Sequence, residues 1–240
     1  MKLVKYIPDA VTSMNLVCGG IGVIFAFKGR FEYAFPLMLA AAVFDFLDGF
    51  SARALHAYSD LGRELDSLCD LVSFGVLPSV MLYKLMCVCS FSEGWLCWTP
   101  LLISVFSALR LAKFNVDERQ SENFLGLPTP ACAILCGALC YFVAFSPAGF
   151  LATWCASPFF IPVLTIVLCA LLVCEIPMFS MKVKFGHALS VTDKKRIFFA
   201  DLVALLCIVT ALLGLNWSFV PLMSFLLYIL KNVIYAAFKI

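Results

Sequence analysis

The chain has 240 residues, of which 63% are hydrophobic and 13% charged, whereas a soluble domain is about 45–50% apolar and about 25% charged. With a mean hydropathy of +1.02, this excludes an ordinary soluble globule and defines a polytopic membrane protein. A net charge of +2 carries no signature of nucleic-acid binding, and none is expected.

The opening residues, M-K-L-V-K-Y-I-P-D-A, are short, basic and amphipathic, which suits an approach along an anionic membrane surface. No segment reads as a cleavable secretory signal. Apolar runs near the ~20 residues needed to cross a bilayer follow at about 11–27, 33–53, 68–89, 95–113, 129–146, 157–177, 197–214 and 217–237. The fold expected is therefore all-α: one domain over residues 1–240, a membrane bundle of about eight transmembrane helices after a short amphipathic segment. The twelve cysteines contain no C-x2-C pair. Most lie in apolar stretches, as Cys132, Cys136 and Cys140 do on one helical stripe, and read as small packing residues.

Lys and Arg set the orientation. With the N-terminus inside, the inner segments hold Lys2, Lys5, Arg63, Arg110, Lys113, Arg119, Lys182, Lys184, Lys194, Lys195, Arg196 and Lys239, and the outer loops only Lys28 and Arg30. The second span then descends, the third ascends, and the stretch between them faces the cytoplasm. The loop from Lys182 to Arg196 is the most basic and suits anionic-lipid contact.

That stretch, residues 45–70, holds four carboxylates, Asp45, Asp48, Asp66 and Asp70, in a chain that otherwise avoids charge. Carboxylates in apolar spans cost about 2–3 kcal/mol each and are kept for function. Asp45 and Asp48 are i,i+3 neighbours and Asp66 and Asp70 i,i+4 neighbours, so each pair shares a helix face. A helical hairpin turning near Tyr58 to Asp60 would bring the pairs together. Four like charges need cations, and hard oxygen ligands suit Mg²⁺, Mn²⁺ or Ca²⁺, whose shell a substrate phosphate completes. Gly49 and Ala52, one turn further along, leave a slot by the backbone wide enough for a nucleotide. Gly75 and Pro78 inside the third span predict a kink or close contact, and Ser73, about one turn past Asp70, is expected to face the same pocket. Arg110 and Lys113, i,i+3 on one face, can together bind an anion.

The pattern D-x2-D-G-x2-A-R-x8-G-x3-D-x3-D, with all eight fixed positions present, resembles the signature of the CDP-alcohol phosphatidyltransferases. Beside it, S-F-G-V-L-P at 73–78, R-L-A-K-F-N at 110–115 and F-L-G-L-P-T-P-A at 124–131 resemble the serine-accepting, integral-membrane subgroup of that family. The likeness covers roughly residues 8–200, and Lys113 departs from it where Arg is commoner. It implies transfer of a phosphatidyl group from CDP-diacylglycerol to L-serine with release of CMP, dependent on Mg²⁺ or Mn²⁺, two ions in all. Asp45, Asp48 and Asp66 would hold metal, with Asp70 sharing a second ion and acting as general base. Gly49, Ala52, Arg53 and Gly62, with Asp48, Asp66 and the more distant Asn15, would surround the nucleotide, while Ser73, Arg110 and Lys113 would hold an anionic group of a substrate. A homodimer in a bacterial inner membrane, its site facing the cytoplasm, belongs to the same expectation. The rivals are the same chemistry with glycerol 3-phosphate, inositol phosphate or an archaeal ether lipid, and a cation transporter using the carboxylates as an ion path.

Overall fold

The computed structural model describes residues 6–89, 94–116, 124–146, 149–178 and 191–238. The helices described are α1 (Ile7–Phe27), α2 (Phe31–Ala54), α3 (Asp60–Asp70), α4 (Leu77–Cys89), α5 (Leu102–Val116), α6 (Thr129–Phe145), α7 (Phe150–Cys155), α8 (Phe160–Val173), α9 (Val191–Leu212) and α10 (Phe219–Phe238). A π-helical segment, Leu71–Val76, joins α3 to α4 without a break, and a 3-10 segment, Trp95–Leu101, leads into α5. The two-residue strands Phe124–Leu125 and Pro177–Met178 pair antiparallel. Five runs are long and apolar enough to cross a membrane, Ile7–Phe27, Phe31–Ala54, Asp60–Cys89, Trp95–Val116 and Phe219–Ala236, and three shorter apolar helices accompany them, Thr129–Phe145, Phe160–Val173 and Ala200–Leu212. These account for the eight expected segments. Of the expected amphipathic start at 1–10, residues 1–5 lie outside the described residues and 7–10 begin α1; of the basic loop expected at 182–196, residues 182–190 lie outside them and 191–196 belong to α9.

Large side chains such as Val43, Phe50, Ile166 and Val167 point outward, as lipid-facing residues do, while the interior combines large buried side chains such as Phe35, Phe74, Leu77 and Met81 with a stripe of small ones on α6. Helix α6 is buried along most of its length through Ala131, Cys132, Ala133, Cys136, Gly137 and Cys140. It packs against α2, α4 and α10. Small residues let helix backbones approach closely, which drives association in lipid where the hydrophobic effect does not. The cysteine stripe thus packs, as its spacing predicts.

Helix α1 lies against α2, α3 and the π-helical segment. A Cβ on Gly19 would stand 2.1 Å from Ser73 Oγ and 2.9 Å from Ser73 Cα, so only glycine fits without pushing the two helices apart. Gly19→Ala is expected to destabilise the fold by about 1–3 kcal/mol, read as an earlier thermal transition of the detergent-solubilised protein; an unchanged transition would show the contact to be slack.

The segment around Gly75 and Pro78 is where the kink was expected, and it forms a π-helical turn. Pro78 has no N–H to offer, and the hydroxyls of Ser79 and Ser104 both donate to the Gly75 carbonyl, at 2.7 and 3.3 Å. Side chains thereby supply hydrogen bonds where the backbone ladder changes step.

Two further contacts fix the walls of the site. Gly126 has φ +77°, and a Cβ there would lie 2.8 Å from the carbonyls of Leu172 and Cys174. Its N–H donates to Ile176 and that of Leu127 to Leu171, at 3.0 and 2.8 Å, so the loop before α6 is pinned to the end of α8. Trp217, just ahead of α10, stacks on Phe35 with ring centroids 5.5 Å apart and donates from Nε1 to the Tyr141 hydroxyl at 3.3 Å. This docks the last helix against α2 and α6.

Candidate active site

Helices α2 and α3 form the expected hairpin, turning at residues 55–59. Ser59 caps α3 by accepting from the Gly62 N–H at 2.9 Å, satisfying a donor that would otherwise be orphaned at the helix start. The two helices of the hairpin bring Asp45, Asp48 and Asp66 together, with one carboxylate oxygen from each within 4.8 Å of the others. Asp48 is only 6% exposed, and its Oδ2 is buried with no hydrogen-bond partner among the described residues. A buried carboxylate oxygen in that state is costly unless a cation or donor meets it. Three hard oxygen donors around one point match the chemistry of Mg²⁺ or Mn²⁺, so the residues fit the metal that the signature implies.

Asp70 stands apart from this trio. It is 8% exposed and accepts a hydrogen bond at 3.0 Å from Asn15 Nδ2 of α1. Asn15 is fully buried, and its Oδ1 has no partner among the described residues.

Two cavities meet on the carboxylates. The first, of about 530 Å³, lies among the start of α1, the second half of α2 and the hairpin turn, with Thr12, Gly49, Ala52, Tyr58 and Gly62 in its lining. A Cβ on Gly62 would come within 3.0 Å of Asp9 Oδ1 and Ser59 Oγ, while one on Gly49 would find Arg53 Nη1 at 3.7 Å. The second, of about 500 Å³, is bordered by Asp45, Asp70, Arg53, Arg110, Thr129 and Tyr228, among others. Asp48, Gly49, Arg63 and Asp66 line both and form the wall between them. Both volumes are in the range of small-molecule sites.

The basic residues separate in a way their spacing does not foretell. Arg110 is 8% exposed, donates from Nη1 to Thr129 Oγ1 at 2.8 Å, and lies 6.0 Å above the Phe114 ring. Its Nε is buried without a hydrogen-bond partner among the described residues. Lys113, expected to share that anion, instead pairs at the surface with Glu175 at 3.3 Å and lines neither cavity. Ser73 also departs from expectation. Its hydroxyl donates to the Asn15 carbonyl at 3.1 Å, its side chain abuts Gly19, and it borders neither cavity. The wider π turn that starts after Asp70 carries Ser73 off the face that α-helical spacing assigns it.

Other lining residues escaped sequence reasoning. Thr129 lies within a quoted motif, and Asn115 donates to Ser67 Oγ at 2.9 Å, tying α5 to α3. Phe225 and Tyr228 come from α10 and carry no motif at all.

Buried carboxylates in apolar helices are kept for chemistry, and here they front two cavities of substrate size, which makes this chain a membrane-embedded enzyme. It belongs to the CDP-alcohol phosphatidyltransferase family: the model of that description matches residues 5–162. It is 38% identical over 126 residues to a CDP-diacylglycerol–serine O-phosphatidyltransferase of Bacillus subtilis, covering 52% of this chain and 70% of the relative. A protein of the same name from Mycobacterium bovis is 36% identical over 215 residues, 86% of this chain and 70% of the relative. Another from Methanocaldococcus jannaschii is 34% identical over 137 residues, 57% of this chain and 61% of the relative.

Proposed function

We propose that the chain transfers the phosphatidyl group of CDP-diacylglycerol to L-serine, giving phosphatidylserine and CMP, at a divalent-metal site facing the cytoplasm. The observation that carries this reading is the convergence of Asp45, Asp48 and Asp66, of which Asp48 and Asp66 stand on the wall between two cavities and Asp45 borders the second. Relatives of that named activity support it.

In this reading the cytidine nucleotide occupies the first cavity, against the bare backbone of Gly49 and Gly62 and beside Ala52. Arg53, which borders the second cavity beside the shared wall, meets phosphate, and Asn15 acts from behind Asp70. Asp45, Asp48 and Asp66 hold metal, and Asp70 contributes to a second ion. When bound, Mg²⁺ or Mn²⁺ neutralises the pyrophosphate and the departing CMP. Serine occupies the second cavity with its carboxylate toward Arg110 and its hydroxyl toward Asp70. The serine oxygen forms the new bond to phosphorus, the bond from phosphorus to CMP breaks, and Asp70 takes the hydroxyl proton. Asn15, hydrogen-bonded to Asp70, fixes the direction of that carboxylate. A homodimer in a bacterial inner membrane completes the reading.

The test is CMP release from CDP-diacylglycerol by purified protein with Mg²⁺ or Mn²⁺, comparing L-serine, glycerol 3-phosphate and myo-inositol. Release requiring both metal and serine is expected. Release driven by another alcohol would discard the serine reading, and none with any alcohol would return the carboxylates to a transport role. The two basic residues divide the same assay. Losing a charge-assisted hydrogen bond costs about 1.5–3 kcal/mol, so Arg110→Met is expected to raise the serine KM at least about tenfold. Lys113→Met, which breaks only an exposed ion pair, is expected to stay within about twofold of the parent.

A further inference from the structure

Among the described residues lining the second cavity, Phe225 and Tyr228 alone lie beyond residue 162, where the match to the family ends. The carboxylates of that cavity lie in the matched region, whereas part of its lining comes from a helix outside it. Helix α10 is held there firmly. It packs across α6, its start is docked by Trp217 on Phe35 and Tyr141, and Tyr228 is 1% exposed.

Tyr228 and Arg110 line the same cavity. The guanidinium has Phe114 of α5 on one side and Thr129 of α6 accepting from Nη1, and Tyr228 of α10 borders the same cavity. Its Nε is a buried donor without a hydrogen-bond partner among the described residues. A buried cation with an unmet N–H calls for an anion. The cavity that would receive that anion's owner is lined by the aspartates and by the α10 aromatics Phe225 and Tyr228.

We propose that Tyr228 and Phe225 of α10 form the wall that selects the acceptor alcohol, admitting a small hydroxy acid whose anionic group meets Arg110 and excluding bulkier phosphorylated alcohols. This rests on the assignment of the second cavity to the acceptor. The Tyr228 hydroxyl completes the polar lining beside Arg110, and the Phe225 ring sets the length available.

The test uses the full-length purified enzyme and CMP release, with KM measured separately for L-serine and for CDP-diacylglycerol. Tyr228→Phe keeps the ring and removes one hydroxyl. A site built around a hydroxyl responds strongly to its loss, so the serine KM is expected to rise about tenfold while kcat and the CDP-diacylglycerol KM stay within about twofold, the pattern of lost acceptor binding. Phe225→Ala is expected to raise glycerol 3-phosphate use relative to serine about tenfold. A packing role alone would instead lower thermal stability and disturb both substrates alike. An unchanged serine KM in Tyr228→Phe, together with an unchanged acceptor ratio in Phe225→Ala, would overturn the proposal. The parent enzyme separates the two readings: if another alcohol drives its CMP release, the serine assignment falls, and the KM of that alcohol in Tyr228→Phe decides the role of α10.

Discussion

Asp48→Asn is expected to lower metal-dependent CMP release about a thousandfold and to raise the Mg²⁺ or Mn²⁺ concentration needed for half-maximal rate. The substitution preserves shape and removes one charge from a group of three carboxylates whose oxygens lie within 4.8 Å of one another. Asp48 is the residue of choice because it is 6% exposed, its Oδ2 has no partner among the described residues, and it lines both cavities. A metal that neutralises a transferring phosphoryl group contributes several kcal/mol, and about 4 kcal/mol corresponds to roughly a thousandfold in rate. The loss should appear in kcat and in metal affinity together. Unchanged metal dependence would remove Asp48 from the ligand set and leave it a buried charge without an assigned task.

Asp70→Asn should separate chemistry from binding. A general base contributes about 10²–10⁴-fold, and loss of that order in kcat is expected while CDP-diacylglycerol binding stays within about twofold. The reason is positional. Asp70 belongs to the second cavity and not to the first, and Asn15 holds one of its oxygens at 3.0 Å. An amide at that position can still accept from Asn15, so the surroundings are preserved while proton acceptance is lost. Near-normal turnover would assign the base elsewhere, and weakened CDP-diacylglycerol binding would make Asp70 a partner of the lipid nucleotide.

The parts legible in the sequence were those governed by short-range rules. Apolar runs marked the eight segments because burial in lipid acts on each helix separately. The spacing of Asp45, Asp48 and Asp66 foretold their meeting because one hairpin relates them. Hydropathy alone set the third apolar segment from about Leu68, since Arg63, Glu64 and Asp66 are polar, whereas the hairpin expected to turn near Tyr58 to Asp60 placed the start of α3 at Asp60. Lys113 and Arg110 do sit three apart on one helix, but their partners, Glu175 and Thr129, come from other segments, and no local rule contains that information. Ser73 was misjudged because a constant 3.6-residue period was assumed across a π turn. Tyr228 could not be singled out at all, since an aromatic residue in an apolar helix has the same appearance whether it meets lipid, core or cavity.

The π-helical segment sets the phase relation between two halves of one continuous helix. Asp66 and Asp70 precede it, while Leu77, Met81, Leu82 and Met86, which build the interior of the bundle, follow it. Closing a π turn to regular α geometry by removing one residue would rotate one half against the other by about 100°. The carboxylates and the core side chains could not then both face inward. The extra residue therefore acts as a phase shifter, letting the chain orient its acidic end for chemistry and its apolar end for packing along a single unbroken rod.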